Sequence, residues 1–328
     1  MFRPDDDRLT WQGAISLERN DGWVMPWRLP HEHLALFPPE ALAERAAMPA
    51  GVRIAFYSDT DTVAGSIEPD PELAPLDLCC DGKLFGSTPM AGRDVFSFVQ
   101  LPAGRKLIEL WLPQFGRFRL RELRLSDGAT VERFVDKRPL WITYGSSITH
   151  CRAAESPTRT WPAVVARTRG LNLTCLGFGG QCHLDTMVAR MIRDLPADYL
   201  SMCVGINVQG GNSLNTRSFQ PAIFGFVHVI RERHPNTPFV VMSPILSPPR
   251  ETVPNAVGFD LRTMRQEVAQ AVQALRSHGD QHVHYIDGVE IFGPEDVHLL
   301  PDELHPNAEG YKLMGSRFAE KVAARFFV

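Results

Sequence analysis

Residues 140–149 have the sequence LWITYGSSIT, in which an apolar run ends at a glycine followed by two serines. A short apolar run that stops at a glycine turn is typical of a buried strand that leads into a helix. The chain repeats this pattern, with strand candidates at residues 140–144, 172–177, 199–204, 239–244 and 283–286. Amphipathic helical stretches separate or follow them, at residues 161–169, 184–194, 221–233, 259–277 and 308–327. This alternation predicts an α/β domain whose parallel sheet is covered by helices on both faces.

The chain before this segment has a different pattern. Its apolar runs are short and often alternating, at residues 52–57, 95–101, 106–112 and 118–125, and only residues 39–47 have a helical pattern. The dipeptides Asp81-Gly82 and Asp127-Gly128 are typical of turns that close hairpins. We therefore predict an antiparallel β-sandwich of jelly-roll type over residues 1–135 and the α/β domain over residues 136–328. No low-complexity linker separates them, so we expect them to pack directly.

Composition narrows the class of protein and its partners. The chain has 328 residues, of which 44% are hydrophobic and 22% charged, as in soluble globular proteins. A net charge of -4 with scattered basic residues argues against nucleic acid as a partner. No apolar run approaches the roughly 20 residues of a membrane helix. The polar N-terminus has no secretion signal, so we expect a cytoplasmic protein; its oligomeric state stays open.

Cysteine and histidine spacing favours neither structural zinc nor another metal. The six cysteines lack paired CxxC spacing, and we expect free, buried thiols. His282 and His284 share one face of a strand, and His31 and His33 are similarly close, but no third ligand with suitable spacing accompanies either pair. We predict neither a metal nor a cofactor.

Polar residues cluster where the predicted parallel strands end, the edge at which such sheets bind ligands. Ser147 follows the first strand, Gly180 the second and Asn207 the third, and Asp302 and His305 come after the last. A serine hydroxyl needs a base to accept its proton, and the base needs an anionic partner to orient it. Ser147, His305 and Asp302 are candidates for these three roles.

Acyl transfer also requires hydrogen-bond donors for the oxyanion that forms on the carbonyl oxygen. The backbone N–H groups of Ser147 and Gly180 and the side-chain amide of Asn207 are the candidates. Three further residues are possible substrate contacts: His150 beside the nucleophile, and Arg217 and Arg250 in loops after the third and fourth strands. Either arginine could equally be a solvated surface residue.

The blocks GSSIT, GFGGQ, GIN and DELHP, in this order, resemble those of the SGNH (GDSL-like) hydrolase superfamily. The similarity covers residues 139–328 and implies a flavodoxin-like, three-layer α/β/α fold. Ser146 stands where the GDSL pattern has Asp, and Val208 follows Asn207 where Asp is common. The GSSIT block is similar to a two-domain branch with an N-terminal β-sandwich, which includes carbohydrate-type esterases and acyltransferases of polyketide pathways.

The resemblance implies a serine esterase that acts through an acyl-enzyme on Ser147, with a small-molecule or carbohydrate ester as substrate. One alternative is an acyltransferase that moves the acyl group from an ester or thioester donor to an acceptor hydroxyl. A third is a non-catalytic carbohydrate-binding protein, against which the intact set of Ser147, His305 and Asp302 argues.

Two other residues could be mistaken for the nucleophile. Ser213 lies in the sequence GNSL, which matches the GDSL pattern more closely than the segment around Ser147 does. However, no apolar strand precedes Ser213. Cys182 is followed by His183, yet no acid beside that histidine is evident to orient it. Position in the fold therefore favours Ser147.

Ser147→Ala should abolish p-nitrophenyl ester hydrolysis, with a loss of about 10³-fold or more, because no other group can form the acyl-enzyme. Labelling by a fluorophosphonate, followed by intact mass, should vanish in the same variant. Ser213→Ala is the control and should still be labelled. Labelling that persists in Ser147→Ala would place the nucleophile elsewhere.

Overall fold

A computed structural model describes residues 2–327, so that Met1 and Val328, the outermost residues of the two predicted domains, lie outside the described residues. The N-terminal region contains short strands, which in chain order are β1 (Thr10–Gln12), β2 (Ser16–Arg19), β3 (Val24–Trp27), β4 (Arg53–Ser58), β5 (Thr62–Ile67), β6 (Leu76–Cys80), β7 (Lys83–Thr88), β8 (Val95–Val99), β9 (Lys106–Trp111), β10 (Leu120–Leu125) and β11 (Val131–Arg133). Sheet I has the order β1-β4-β9-β6-β7, with β11 also paired to β4, and sheet II has the order β2-β3-β10-β5-β8. Neighbouring strands in both sheets are antiparallel.

The three middle strands of sheet I, β4, β9 and β6, are buried on both faces. Phe56, Leu78 and Ile108 pack in one apolar core with residues of sheet II, as in a β-sandwich. Cys79 and Trp111, on the opposite face, belong to the core of the α/β region. Strand β6 is accordingly buried at every residue, whereas β5 alternates between buried and half-buried residues. The sandwich thus packs directly against the second region.

The two predicted hairpin turns have different outcomes. Asp81 and Gly82, with φ values of 49° and 75°, form the tight turn that joins β6 to β7. The prediction for Asp127-Gly128 is wrong, because β10 lies in sheet II and β11 in sheet I. The short strand β1 pairs with residues 53–55 of β4 and leaves the rest of that edge free, and β11 pairs with residues 56–58. Free backbone groups on a sheet edge, rather than the dipeptide, decide where β11 pairs.

The second region confirms the predicted α/β fold. Its strands are β12 (Leu140–Gly145), β13 (Asn172–Gly177), β14 (Tyr199–Cys203), β15 (Phe239–Met242) and β16 (Val283–Ile286). They are parallel in the order β13-β12-β14-β15-β16, which is the flavodoxin-like order. The strand order reverses at β12, the strand that leads to Ser147.

The helices are α1 (Glu40–Ala46) in the N-terminal region, then α2 (Ser147–His150), α3 (Trp161–Arg169), α4 (Thr186–Asp194), α5 (Ile206–Gly211), α6 (Phe219–Arg231), α7 (Leu261–Ser277), α8 (Ala308–Phe318) and α9 (Ala324–Phe326). Short 3₁₀ helices span His31–Leu36, Pro157–Arg159, Pro248–Arg250, Gly288–Glu290 and Pro294–Leu299. Helix α3 packs against α8, while α6 packs against α4 and α7. These two groups form the outer layers of the three-layer domain.

The last predicted helix, residues 308–327, is not continuous. A π-helical turn at Ala319–Ala323 separates α8 from α9. Residues nine positions apart in a regular α-helix lie on opposite faces. Here Phe318 and Phe327 both pack against Trp141 of β12, with ring centroids 5.8 and 5.7 Å from it. The wider turn and the end of α9 allow both rings to fill this core.

Buried polar contacts join the two regions. Asp77 of β6 is fully buried, and its Oδ2 accepts hydrogen bonds from Ser156 Oγ (2.6 Å), Thr158 Oγ1 (2.6 Å) and Thr158 N (3.1 Å). Arg53 of β4 donates to Asn172 Oδ1 (2.6 Å) and to the carbonyl of Leu173 (3.1 Å). Because these groups leave water on folding, each needs its partner from the other region.

Asp77→Ala should lower the free energy of unfolding by about 2 to 4 kcal/mol, because it leaves buried donors of Ser156 and Thr158 unpaired. Denaturant unfolding should be measured by far-UV circular dichroism and tryptophan fluorescence. We expect one transition that shifts equally by both probes, since the contact spans the two regions. Asp127→Ala, in an exposed turn, is the control. A shift confined to one of two separate transitions would contradict this coupling.

Candidate active site

The end of β12 places Ser147 at the carboxyl edge of the parallel sheet. Ser146 caps α2, because its Oγ accepts a hydrogen bond from the amide of Ile148 at 3.2 Å. A side chain at Gly177, at the end of β13, would come within 2.4 Å of the His150 amide nitrogen. The absence of a side chain there lets α2 sit directly on the ends of both strands. Ser146, where the GDSL pattern has Asp, therefore serves the local helix start.

The structure brings the three predicted triad residues together. Ser147 Oγ lies 2.8 Å from His305 Nε2, and His305 Nδ1 lies 2.7 Å from Asp302 Oδ2. The other carboxylate oxygen of Asp302 accepts hydrogen bonds from the backbone amides of Leu304 (3.1 Å) and His305 (2.7 Å). Partial burial opposes ionisation of Asp302, but the hydrogen bonds from His305 and Leu304 hold its pKa below the usual value. The carboxylate can thus orient the imidazole.

Asp302 and His305 reach the site over a long connection rather than directly from the last strand. The chain passes through the 3₁₀ helices Gly288–Glu290 and Pro294–Leu299 before Asp302. Glu303 has a φ of 60°, a left-handed conformation, and its carbonyl accepts a hydrogen bond from Ser247 Oγ at 2.7 Å. This contact fixes the turn that lies between the acid and the base.

The candidate oxyanion donors converge on the same pocket. The amides of Ser147 and Gly180 donate to no backbone carbonyl within the described residues, and Gly180 has a φ of 75°. Asn207 Oδ1 accepts a hydrogen bond from the Cys182 amide at 3.0 Å. Since the oxygen of this side-chain amide is engaged, its NH₂ group is left to donate into the pocket. All three residues line the pocket.

His183 and Ser213 hold the turn that carries Gly180. His183 Nε2 lies 3.0 Å from the Gly180 carbonyl oxygen, and its Nδ1 lies 2.7 Å from Ser213 Oγ. The carbonyl must accept, so Nε2 carries the proton and Nδ1 accepts from the serine. The serine of the GNSL sequence is therefore engaged with this support and lies outside the pocket lining.

Arg28 connects the N-terminal region to the strand that precedes Gly180. Its buried guanidinium donates to the carbonyls of Cys175 (3.1 Å) and Gly177 (2.6 Å) in β13, and to those of Arg45 and Met48, both at 2.5 Å. Burial lowers the pKa of Arg28 to about 10. The arginine still carries its charge at neutral pH, and the surrounding carbonyl dipoles are its partners.

The pocket beside Ser147 has a volume of roughly 830 Å³, and both regions of the chain line it. His150 lies in its wall, as predicted for a possible substrate contact. The structure does not bring Arg217 or Arg250 to the lining: Arg217 is exposed beyond α5, and Arg250 donates to Ser247 Oγ at 3.0 Å.

Three residues that the sequence did not indicate line the pocket instead, namely Arg45, Phe115 and Arg152. Arg45 and Phe115 come from the sandwich region, where no local pattern marks a ligand contact.

His150 faces the pocket as a neutral ring. Its Nε2 lies 2.8 Å from the carbonyl oxygen of Gln114, so this nitrogen carries the proton. Burial, and then the nearby charge of Arg28, lower the pKa of His150 well below the usual value. At neutral pH its Nδ1 is therefore a hydrogen-bond acceptor next to Gly179.

The other nucleophile candidate, Cys182, is buried, and burial raises the pKa of its thiol well above the usual value. All six cysteines are buried and unpaired. In the part of the chain that the structure describes, no group of three or more His, Cys, Asp or Glu side chains is arranged to bind a metal ion. Across residues 2–327, no helix has both the length and the apolar character of a membrane span.

Two family models match the chain. That of the SsfX3 N-terminal domain matches residues 9–121, and that of the GDSL-like lipase/acylhydrolase family matches residues 137–323. The second match covers more than half of the chain, and the chain belongs to the GDSL-like lipase/acylhydrolase family.

Among solved structures, the salicylyl-acyltransferase SsfX3 from a tetracycline biosynthetic pathway is 40% identical, with a TM-score of 0.90 over 99% of this chain and 96% of that one. A protein described as a GDSL-like lipase from Bacteroides ovatus is 21% identical, with a TM-score of 0.78 over 97% and 95%. A family two carbohydrate esterase from Cellvibrio japonicus is 12% identical, with a TM-score of 0.68 over 99% and 97%. The last two show the fold alone.

No curated protein sequence matches this chain. Family membership and the 40% identity to SsfX3 establish an enzyme of the hydrolase or acyltransferase type. The non-catalytic carbohydrate-binding alternative is therefore set aside.

Asn207→Ala should lower kcat for p-nitrophenyl acetate by about 10²- to 10³-fold with little change in KM, because an oxyanion donor acts mainly in the transition state. Asn212→Ala, beyond the end of α5, is the control and should keep most of the wild-type kcat. Steady-state kinetics of both variants check this. A rise in KM with unchanged kcat would instead indicate a role in ground-state binding.

Proposed function

We propose that this enzyme transfers acyl groups through a covalent acyl-enzyme on Ser147, from a small ester or thioester donor to an acceptor hydroxyl. The hydrogen-bonded chain from Ser147 Oγ through His305 to Asp302 is the observation that carries the acyl-enzyme. The 40% identity to a salicylyl-acyltransferase over 99% of the chain favours transfer to an acceptor other than water.

The steps follow from the chemistry of these groups. His305 Nε2 takes the proton of Ser147 as its oxygen bonds to the donor carbonyl carbon, and the amides of Ser147, Gly180 and Asn207 stabilise the negative oxygen. The tetrahedral intermediate collapses, and His305 gives the proton to the leaving alcohol or thiol. The acceptor hydroxyl then gives its proton to His305 while its oxygen attacks the acyl carbon, and His305 returns this proton to Ser147 Oγ as the bond between Ser147 and the acyl carbon breaks. No cofactor takes part in these steps.

Hydrolysis is the second candidate, because water can reach the proton relay. The side chains of His305 and Asp302 are 34% and 55% exposed. In an open site water competes with the acceptor for the acyl-enzyme. The same triad then produces a carboxylic acid, as in an esterase.

The cytoplasmic location expected from the sequence is part of this proposal. All six cysteines are buried and unpaired, which is the usual state of cysteines in a reducing compartment. Cell fractionation of the native host tests the location directly.

The fate of the acyl group can be measured by mixing enzyme, p-nitrophenyl acetate and a panel of phenolic and aliphatic alcohols. If the enzyme is a transferase, at least one alcohol at millimolar concentration should receive most of the acyl group, while p-nitrophenol is still released. Mass spectrometry of the products gives the ratio of acetylated alcohol to acetate. Ser147→Ala supplies the background.

A ratio that stays near that of the uncatalysed reaction for every acceptor, with acetate formed in a Ser147-dependent way, would contradict transfer and favour the esterase. If intact mass detects no acetyl adduct on the wild-type enzyme and Ser147→Ala leaves turnover unchanged, the acyl-enzyme itself is wrong.

A further inference from the structure

The active-site pocket adjoins a second groove, which is lined mainly by residues of the sandwich region. This groove has a volume of roughly 550 Å³ and shares Arg45, Phe115 and Arg152 with the pocket. Arg117 and Arg119 lie further along it. A substrate whose acyl carbon lies at the nucleophile can therefore extend past two arginines before it leaves the protein.

Both shared arginines line the pocket and rest against one aromatic ring, and Arg45 lies near Ser147. A Cβ placed on Gly179 would lie 3.7 Å from Arg45 Cδ and 3.7 Å from Ser147 Cβ. The guanidinium carbons of Arg45 and Arg152 lie 5.8 and 4.1 Å from the ring centroid of Phe115. Phe115 is buried and provides a fixed apolar surface against which both guanidinium groups rest.

The two arginines of the pocket wall have few carboxylate partners. Among the described residues, no carboxylate oxygen lies within 4.0 Å of the Arg45 side chain, and Arg152 has only Glu72, at 3.7 Å, with both side chains more than half exposed. Asp302, the acid that lines the pocket, is engaged with His305. Two arginines thus face the cavity without a strong anionic partner.

The outer groove also contains acidic residues. Glu44, Asp70 and Glu72 line it together with the four arginines. Asp70 is engaged by backbone amides, those of Glu72 at 2.8 Å and Arg117 at 2.9 Å. The three residues that the groove shares with the pocket, Arg45, Phe115 and Arg152, include two arginines and no acid.

We propose that Arg45 and Arg152 form an anion-binding subsite for a carboxylate or phosphate group that the substrate carries several bonds away from the reacting carbonyl. Guanidinium groups bind such anions through paired, charge-assisted hydrogen bonds. One arginine comes from α1 of the sandwich region and the other follows α2 of the catalytic region, so the subsite requires both. The proposal rests on acyl transfer through Ser147 and adds the class of substrate.

Two matched pairs of donors test the subsite and show where the anion resides. S-acetyl-pantetheine and its 4'-phosphate differ in one phosphate on the leaving group, and p-nitrophenyl butyrate and mono-p-nitrophenyl glutarate differ mainly in one carboxylate on the acyl group. For at least one pair, wild-type enzyme should have the higher kcat/KM for the charged donor. In Arg45→Gln and in Arg152→Gln the charged-to-neutral ratio of kcat/KM should fall about 10-fold or more.

Arg93→Gln, which removes an exposed charge elsewhere on the sandwich, is the matched control and should keep the wild-type ratio. Arg152→Lys, which keeps the charge, should retain part of the preference. Because Arg45 lies beside the buried Arg28, the Arg45→Gln change could lower stability, and thermal unfolding of this variant is measured in parallel. Arg152 is exposed, so Arg152→Gln tests the subsite with little effect on stability.

A charged-to-neutral ratio that is the same in wild type and both glutamine variants, for both pairs, overturns the subsite. Turnover of the neutral donors that depends on Ser147 would then still support acyl transfer. Failure of the wild-type enzyme to turn over any of the four donors, with no acyl adduct on Ser147, would instead count against the proposed function itself.

Discussion

Arg28 is completely buried between the two regions, and its guanidinium donates to backbone carbonyls of both. Losing one of these carbonyl partners would leave a buried N–H donor of the guanidinium unpaired, at a cost of about 1 to 3 kcal/mol. One of the carbonyls belongs to Gly177, just before the turn that carries Gly180, and another to Arg45 in the pocket wall. A single side chain therefore fixes the position of the turn that carries Gly180 relative to the pocket wall that contains Arg45.

The parallel sheet and the triad candidates could be predicted because their determinants are local. Each strand is an apolar run, and predicted strands such as residues 172–177 match the structure to the residue. Ser147, His305 and Asp302 follow from short blocks whose spacing reflects the chemistry. The predicted ends of the helices are less accurate than those of the strands. Helix α4 begins at Thr186 rather than at the predicted residue 184, because Asp185 adopts an extended conformation.

The remaining features depend on contacts between distant parts of the chain, which local patterns do not contain. Arg45 and Phe115 belong to the sandwich sequence and reach the pocket only because sheet I packs on the catalytic region. Asp77 interrupts the apolar run of β6, and its partners lie about 80 positions away in a 3₁₀ turn. Asp127-Gly128 has the composition of a hairpin turn, yet the next strand pairs in the other sheet.

The division of the pocket wall between two regions has a consequence for how such enzymes diversify. The candidate triad of Ser147, His305 and Asp302 belongs to the α/β region, whereas Arg45 and Phe115 lie on α1 and on a loop of the sandwich. Mutations in these two segments can alter which molecules enter without disturbing the proton relay. Related enzymes could thus acquire new substrates through mutations in the sandwich region alone. A combinatorial library confined to α1 and the loop that contains Phe115 would test the same range of substrate preferences in the laboratory.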